Sequence, residues 1–213
     1  VDGETGIIEG GRMTGDELDH LPIVLRPGAK RYKFLIDGEP ATTMMTSRGC
    51  PFFCSFCSHS IWGQVVSFRS AVNVLEECAR LKQDSWSRIM YFDDTFTINR
   101  PRLHAICDGL KDRGFKWRCF VRADITTAKD LAIMARAGCV EVGIGVESGD
   151  QRILDNVLKK TTVAQNSAIV QACREVGIIA KTFIIIGLPG EDEESLANTK
   201  NWLVTNRPPK ADV

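Results

Sequence analysis

An excess of charge of either sign is missing from this sequence: 27 lysines and arginines meet 27 aspartates and glutamates, for a formal net charge of zero. That balance supplies no global field to draw the chain onto a nucleic acid or an anionic bilayer. Long apolar runs are missing too; the strongest, Phe183 to Leu188, is far too short to span a membrane. The opening residues Val1-Asp2-Gly3-Glu4 are acidic and polar, unlike a signal peptide. Internal repeats and low-complexity tracts are absent as well. With 44% hydrophobic and 25% charged residues, the composition is that of a folded domain and not of a disordered chain. These absences point to a soluble chain, expected in the cytoplasm, whose 213 residues suffice for one sizeable core. Its first residue is not methionine and it stops just past Arg207-Pro208-Pro209-Lys210, so a segment of something longer is expected.

What is present is cysteine. A chain of this size does not need disulfides to hold a core, and five of its 8 cysteines sit singly in apolar patterns. Cys78, Cys107, Cys119, Cys139 and Cys173 therefore read as small buried hydrophobes. The other three form Cys50-Pro-Phe-Phe-Cys54-Ser-Phe-Cys57, a spacing expected by chance roughly 0.01 times in a chain of this composition.

Residues 1–41 are polar and dotted with glycine, which predicts a short hairpin around Gly6 to Arg12 and a connector through Leu21-Pro22 and Pro27-Gly28. From Thr42 onward, apolar runs alternate with helical periodicity. The runs Thr42–Thr46, Arg88–Phe92, Trp117–Val121, Val140–Val146 and Ile178–Ile186 look nearly continuous, as in parallel strands buried on both faces. Between them, Ser70 predicts a helix cap, Pro101 an early helical position, and Thr127 with Asp130 and Thr162 with Gln165 predict capping boxes. Gly177 marks a stop, and Glu191 to Glu194 favour the start of a last helix. Strand–helix alternation of this kind means an α/β fold. About 170 residues after Thr42 are too few for a closed eight-fold barrel, so a partial TIM-like barrel of five to six parallel strands is expected.

Ligands of such folds bind beyond the carboxyl ends of the strands. The polar clusters fall there: the cysteine loop, Phe92-Asp93-Asp94-Thr95, Arg122-Ala123-Asp124, Glu147-Ser148-Gly149 and Gly187-Leu188-Pro189-Gly190-Glu191. Thiolates are soft ligands that suit zinc, with His59 as a fourth ligand, or an iron–sulfur cluster. Phe52, Phe53 and Phe56, interleaved with the cysteines, favour a cluster shielded from water. Three cysteines are one short of the usual four, which leaves an open position for chemistry.

Taken with Phe56 just before the last cysteine, the loop resembles the radical S-adenosylmethionine superfamily. Thr46-Ser-Arg-Gly-Cys50, Tyr91-Phe-Asp-Asp94, Val142-Gly-Ile-Gly-Val-Glu-Ser-Gly149 and Ile184-Ile-Ile-Gly-Leu-Pro-Gly-Glu191 follow in order. With Leu18-Asp-His-Leu-Pro22 they resemble the subgroup that carries a cobalamin-binding domain before the barrel, of which the anaerobic magnesium-protoporphyrin ester cyclases are a branch. The resemblance implies that Cys50, Cys54 and Cys57 hold a 4Fe-4S cluster whose fourth iron is chelated by S-adenosylmethionine, which is cleaved to a 5′-deoxyadenosyl radical. It implies that Phe56 packs on adenine, that Asp93 and Asp94 face the methionine ammonium or orient substrate, and that Glu147 and Ser148 bind ribose. Arg122 would fork onto the ligand carboxylate or pair with Asp124. Gly143, Gly145 and Gly187 imply close backbone approach. Trp62 and Arg69 would belong to the substrate side, and Lys181 would point into the barrel toward an unnamed partner. Residues 1–41 would be the stub after a cobalamin-binding domain absent from this chain, and 42–213 the barrel, truncated at its C-terminal end. The implied partners are a small-molecule substrate and an external electron donor such as flavodoxin or ferredoxin. A zinc-stapled binding module and a simple iron–sulfur electron carrier stay open as alternatives at this point.

Overall fold

The computed structural model describes residues 13, 15–26, 34–58 and 63–213. The hairpin expected at 6–12, Pro27-Gly28, His59 and Trp62 lie outside the described residues. In chain order the elements are α1 (Gly15–Asp19), β1 (Leu35–Ile36), β2 (Glu39–Pro40), β3 (Thr42–Met44), β4 (Ser47–Arg48), β5 (Ser67–Phe68) and α2 (Ala71–Gln83). There follow β6 (Arg88–Tyr91), α3 (Arg100–Leu110), β7 (Lys116–Val121), α4 (Ala128–Arg136), β8 (Cys139–Glu147) and α5 (Gln151–Asn156). The chain ends with α6 (Val163–Val176), β9 (Ile179–Ile184), α7 (Glu193–Asn206) and β10 (Lys210–Asp212).

Among the described residues, β3, β6, β7, β8, β9 and β10 form one six-stranded sheet in that spatial order, every pair parallel. Sequential neighbours add on one side, which makes the α/β partial barrel expected from the sequence. The helices begin where local chemistry dictates. Ser70 accepts from the Asn73 N–H, Thr127 and Asp130 cap each other's N–H groups, and so do Thr162 and Gln165. Gly177 closes α6 in the left-handed region, which a residue without Cβ reaches at low cost.

The strands are not buried alike on both faces, and this corrects the reading of continuous apolar runs. Trp117, Cys119 and Val121 of β7 enter the helix-covered core with Ile89, Tyr91, Val142, Ile144 and Ala180. Arg118, Phe120, Glu141, Gly143, Lys181 and Phe183 alternate with them and line cavities. Successive strand side chains point to opposite faces, so helices cover one face while the other is hollow. The Thr42–Thr46 run is also cut short. β3 stops at Met44, and Ser47–Arg48 swings out to pair antiparallel with β5, bracketing the cysteine loop. No helix among the described residues is long and apolar enough to cross a membrane.

Candidate functional site

A cavity of about 320 Å³ opens at the carboxyl ends of β6, β7 and β8. Cys50, Cys54 and Cys57 all line it, with Phe56, Asp94, Arg122, Glu147 and Lys159. A larger cavity of about 560 Å³ lies across β3, between residues 18–26 and α2, and contains none of these thiols.

Two adjacent aspartates at the end of β6 tie down the start of the cysteine loop. Asp93 accepts from the Thr46 N–H at 2.6 Å, the Thr46 hydroxyl at 2.5 Å and the Ser47 hydroxyl at 2.6 Å. Asp94 accepts from the Gly49 N–H at 3.1 Å. Arg102 adds a bond to the Thr46 carbonyl at 2.7 Å. Further along, the Ser55 N–H reaches the Val157 carbonyl at 3.0 Å. Asp93 is buried with its carboxylate fully used, so the structure gives it an anchoring position and not one facing a ligand. Burial raises its pKa, against the lowering effect of the Ser47 and Thr46 donors. Asp94, by contrast, does face the cavity.

The opposite wall is built from charge. The Lys159 ammonium donates to Glu147 at 2.7 Å, and their side chains are 6% and 8% exposed, which makes this a buried ion pair. Glu147 sits at the register shift between β8 and β9 with φ +64, and Leu158 and Lys160 flank Lys159 with φ +54 and +62. Left-handed backbone is costly for residues other than glycine; here it aims both side chains inward. A Cβ at Gly145 would strike the Glu147 carboxylate and the Lys159 ammonium, so a larger residue there would push the two side-chain ends aside.

Arg122 makes the internal pair with Asp124, Nε to Oδ1 at 3.1 Å and Nη2 to Oδ2 at 3.0 Å. Its Nη2 also reaches the Lys159 carbonyl at 2.7 Å, its Nη1 reaches Cys54 Sγ at 3.4 Å, and its guanidinium carbon lies 3.6 Å from the Phe52 ring centre. Lys159 lies 5.7 Å from the centre of the Phe56 ring. Both cations thus brace an aromatic residue of the cysteine loop.

Ser148, Gly187 and Arg69 stand apart from the cavity. Ser148 is fully buried, with its hydroxyl against Thr199 at 3.1 Å and accepting from the Asp150 N–H at 3.1 Å, behind the strand end. Gly187 takes φ +90 and donates its N–H to Glu191, and does not line the cavity. Arg69 pairs with Glu77 at 2.6 Å, away from the thiols. Lys181 does enter the barrel, in a neighbouring cavity of about 150 Å³, and its partner is Asp212 at 2.6 Å. Lys159 is the site residue that sequence reasoning misses. It follows Leu158 in an ordinary polar stretch, and its only sequence signal is its place some dozen residues beyond a strand end.

Burial, then the neighbouring Cys50, Cys54 and Asp94, raise the Cys57 pKa, while Lys159 opposes them. No three Cys, His, Asp or Glu groups among the described residues stand close enough to hold a single metal ion. Three soft thiols around one cavity, faced by two buried cations that offset thiolate charge, suit a multi-iron cluster, whose separate corners take one thiolate each. The donor set fits such a group.

The family model described as the Radical SAM superfamily matches residues 44–203. An uncharacterized methyltransferase from Pyrococcus horikoshii is 34% identical over 186 residues, which cover 85% of this chain and 40% of that protein. The anaerobic magnesium-protoporphyrin IX monomethyl ester cyclase of Rubrivivax gelatinosus is 33% identical, over 72% of this chain and 28% of its own length. Among solved structures, the cobalamin-dependent S-adenosylmethionine radical enzyme OxsB, with aqua-cobalamin and S-adenosylmethionine bound, superposes with a TM-score of 0.68 at 25% identity. That match covers 76% of this chain and 26% of OxsB. The chain thus spans well under half the length of these relatives.

Proposed function

This chain belongs to the radical SAM superfamily, and from that membership we propose that Cys50, Cys54 and Cys57 hold a 4Fe-4S cluster in the cavity at the strand ends. The observation that carries the reading is the convergence of all three thiols with Phe56, Asp94, Arg122, Glu147 and Lys159 on one cavity. When bound, the cluster supplies the electron that splits the S–C5′ bond of S-adenosylmethionine, giving methionine and a 5′-deoxyadenosyl radical that abstracts hydrogen.

The chain's own residues shape and guard that site. Asp93 and Asp94 fix where Cys50 leaves the sheet. Phe56 offers a flat face for the nucleoside base. Asp94 presents a carboxylate suited to the methionine ammonium. Glu147, held by Lys159, is placed to accept from ribose hydroxyls, while Ser148 and Gly187 support the strand ends from behind. Phe120 and Phe183 keep the wall apolar and restrict water.

Residues 42–213 form the barrel core and 1–41 the segment leading into it. The outcome is a methylation, cyclisation or related rearrangement of a small-molecule substrate, with electrons from a flavodoxin- or ferredoxin-like donor in the cytoplasm. Similarity to OxsB, a cobalamin-dependent enzyme, supports cobalamin as a further cofactor, carried by a domain outside this chain. The test is anaerobic reconstitution with iron and sulfide. Brown protein with about four irons per chain that releases 5′-deoxyadenosine from S-adenosylmethionine under reductant is expected. Colourless protein holding a single zinc would overturn the proposal.

A further inference from the structure

We propose that Arg122 positions the cysteine loop and raises the reduction potential of the cluster through its N–H···S bond to Cys54. The inference rests on the reading above and names a role beyond it. Arg122 is 5% exposed and its donors are nearly all placed: two on Asp124, one on the Lys159 carbonyl and one on the Cys54 sulfur. Its flat face lies on Phe52, two residues before Cys54. Only arginine offers a plane to stack and a fork of fixed donors at once. Cys54 is the most buried thiol of the three, so its hydrogen bond faces little competition from water.

Hydrogen bonds to ligating sulfur and nearby positive charge favour the more negative, reduced state of a cluster, and so raise its potential. The Asp124 carboxylate partly cancels the Arg122 charge. The two residues should therefore shift the potential in opposite directions when neutralised.

The experiment is a redox titration of the anaerobically reconstituted chain, followed by electron paramagnetic resonance, with iron and sulfide measured on every sample. Arg122→Gln is expected to disfavour reduction by about tenfold, a shift of about 59 mV downward for one electron. Asp124→Asn is expected to shift it upward. A role limited to holding the loop would change iron content or melting temperature without such opposed shifts. Loaded variants whose potentials match wild type, or move in the same direction, overturn the inference. If Arg122→Gln does not fold, Asp124→Asn decides alone: an upward shift supports the role and any other result overturns it. Wild-type chain that takes up no iron overturns the functional reading and this inference with it. Wild-type chain with about four irons and unshifted variants overturns the inference alone.

Discussion

The two faces of one sheet carry opposite chemistry. On the helix-covered face, Tyr91 stacks on Phe96 at 4.8 Å and meets Trp117 edge-on at 5.4 Å, among thiols that burial keeps protonated. Burial pushes the Cys78 pKa up to about 11 and Cys173 up to about 12, and Cys119 is raised well beyond the ordinary range. On the hollow face, one residue along each strand, stand Arg118, Glu141, Gly143, Gly145 and Glu147. Eight cysteines of one chemical type therefore divide by position: five are inert packing, three border a cavity facing cations. Alternation along a strand lets stability and ligand chemistry change independently.

The sharpest way to break this division is to remove one cysteine from each side. Cys54→Ala is expected to cut iron from about four per chain to less than one and to abolish 5′-deoxyadenosine release. Cys119→Ala should keep both and lower stability by about 1–2 kcal/mol. Metal analysis and thermal melting of the pair check it; equal iron loss in both would erase the distinction between the faces.

Next comes the converse. Trp117→Ala empties a fully buried site and removes the indole N–H bond to the Ala137 carbonyl. A loss of about 3–5 kcal/mol in urea unfolding is expected, with iron loading intact below the lowered melting temperature. Failure to load while still folded would mean that the core side shapes the cavity directly.

Legibility in the sequence divides along the same line. The helix-covered face is readable because its signals are local: Ser70, Thr127 with Asp130, Thr162 with Gln165 and Gly177 each act within four residues. The five apolar runs also locate five strands of the sheet to within about two residues. The hollow face escapes such a reading although its alternation is on display in Lys116-Trp-Arg-Cys-Phe-Val121 and in Glu141, Gly143, Gly145, Glu147. The apolar β8 partners and Phe120 and Phe183 mask the period of two. The short helix α5 and strand β10 carry few apolar residues and give no periodic signal of their own. At the site, the three cysteines are legible from spacing and family resemblance. Asp93 is legible as important, but its role is not, because accepting from Thr46 and Ser47 joins residues 46 positions and more apart. Lys159 is invisible for the same reason, since its partners Glu147 and Phe56 are brought to it only by the fold.

A smaller effect tests whether the anchoring of the loop belongs to the hollow side. Asp93→Asn turns an amide N–H₂ toward hydroxyl and N–H donors, for an expected loss of about 1–3 kcal/mol. The sign of its pH dependence is set by the raised pKa of the wild-type carboxyl. The folded state holds the proton more tightly than the unfolded one, so stability falls as pH climbs from about 3.9 through the folded value. An amide at this position cannot titrate, so the variant should lack that part of the decline in acid-range unfolding curves. Identical pH profiles would show that the carboxyl is not held as the structure places it.

The smallest expected effect is kinetic. In the chain without iron, Cys57 is exposed while the five core thiols are buried, so iodoacetamide should label Cys57 first and the core thiols only on unfolding. Its pKa is raised by burial and by Cys50, Cys54 and Asp94 and lowered by Lys159, and thiolate is the reacting form. Labelling should therefore run below the rate of a free cysteine near pH 8 and rise as pH passes the usual thiol value. Replacing Lys159 by Met alone would strand the buried Glu147 carboxylate, so the informative variant pairs Lys159→Met with Glu147→Gln. Losing this cation, which favours the thiolate, should slow labelling a further few-fold at fixed pH, with Cys173 in the intact chain as an unlabelled internal standard. Unchanged rates would mean that the cation's influence stops at the Phe56 ring and does not reach the thiols, which would leave the hollow face charged but chemically uncoupled from its cysteines.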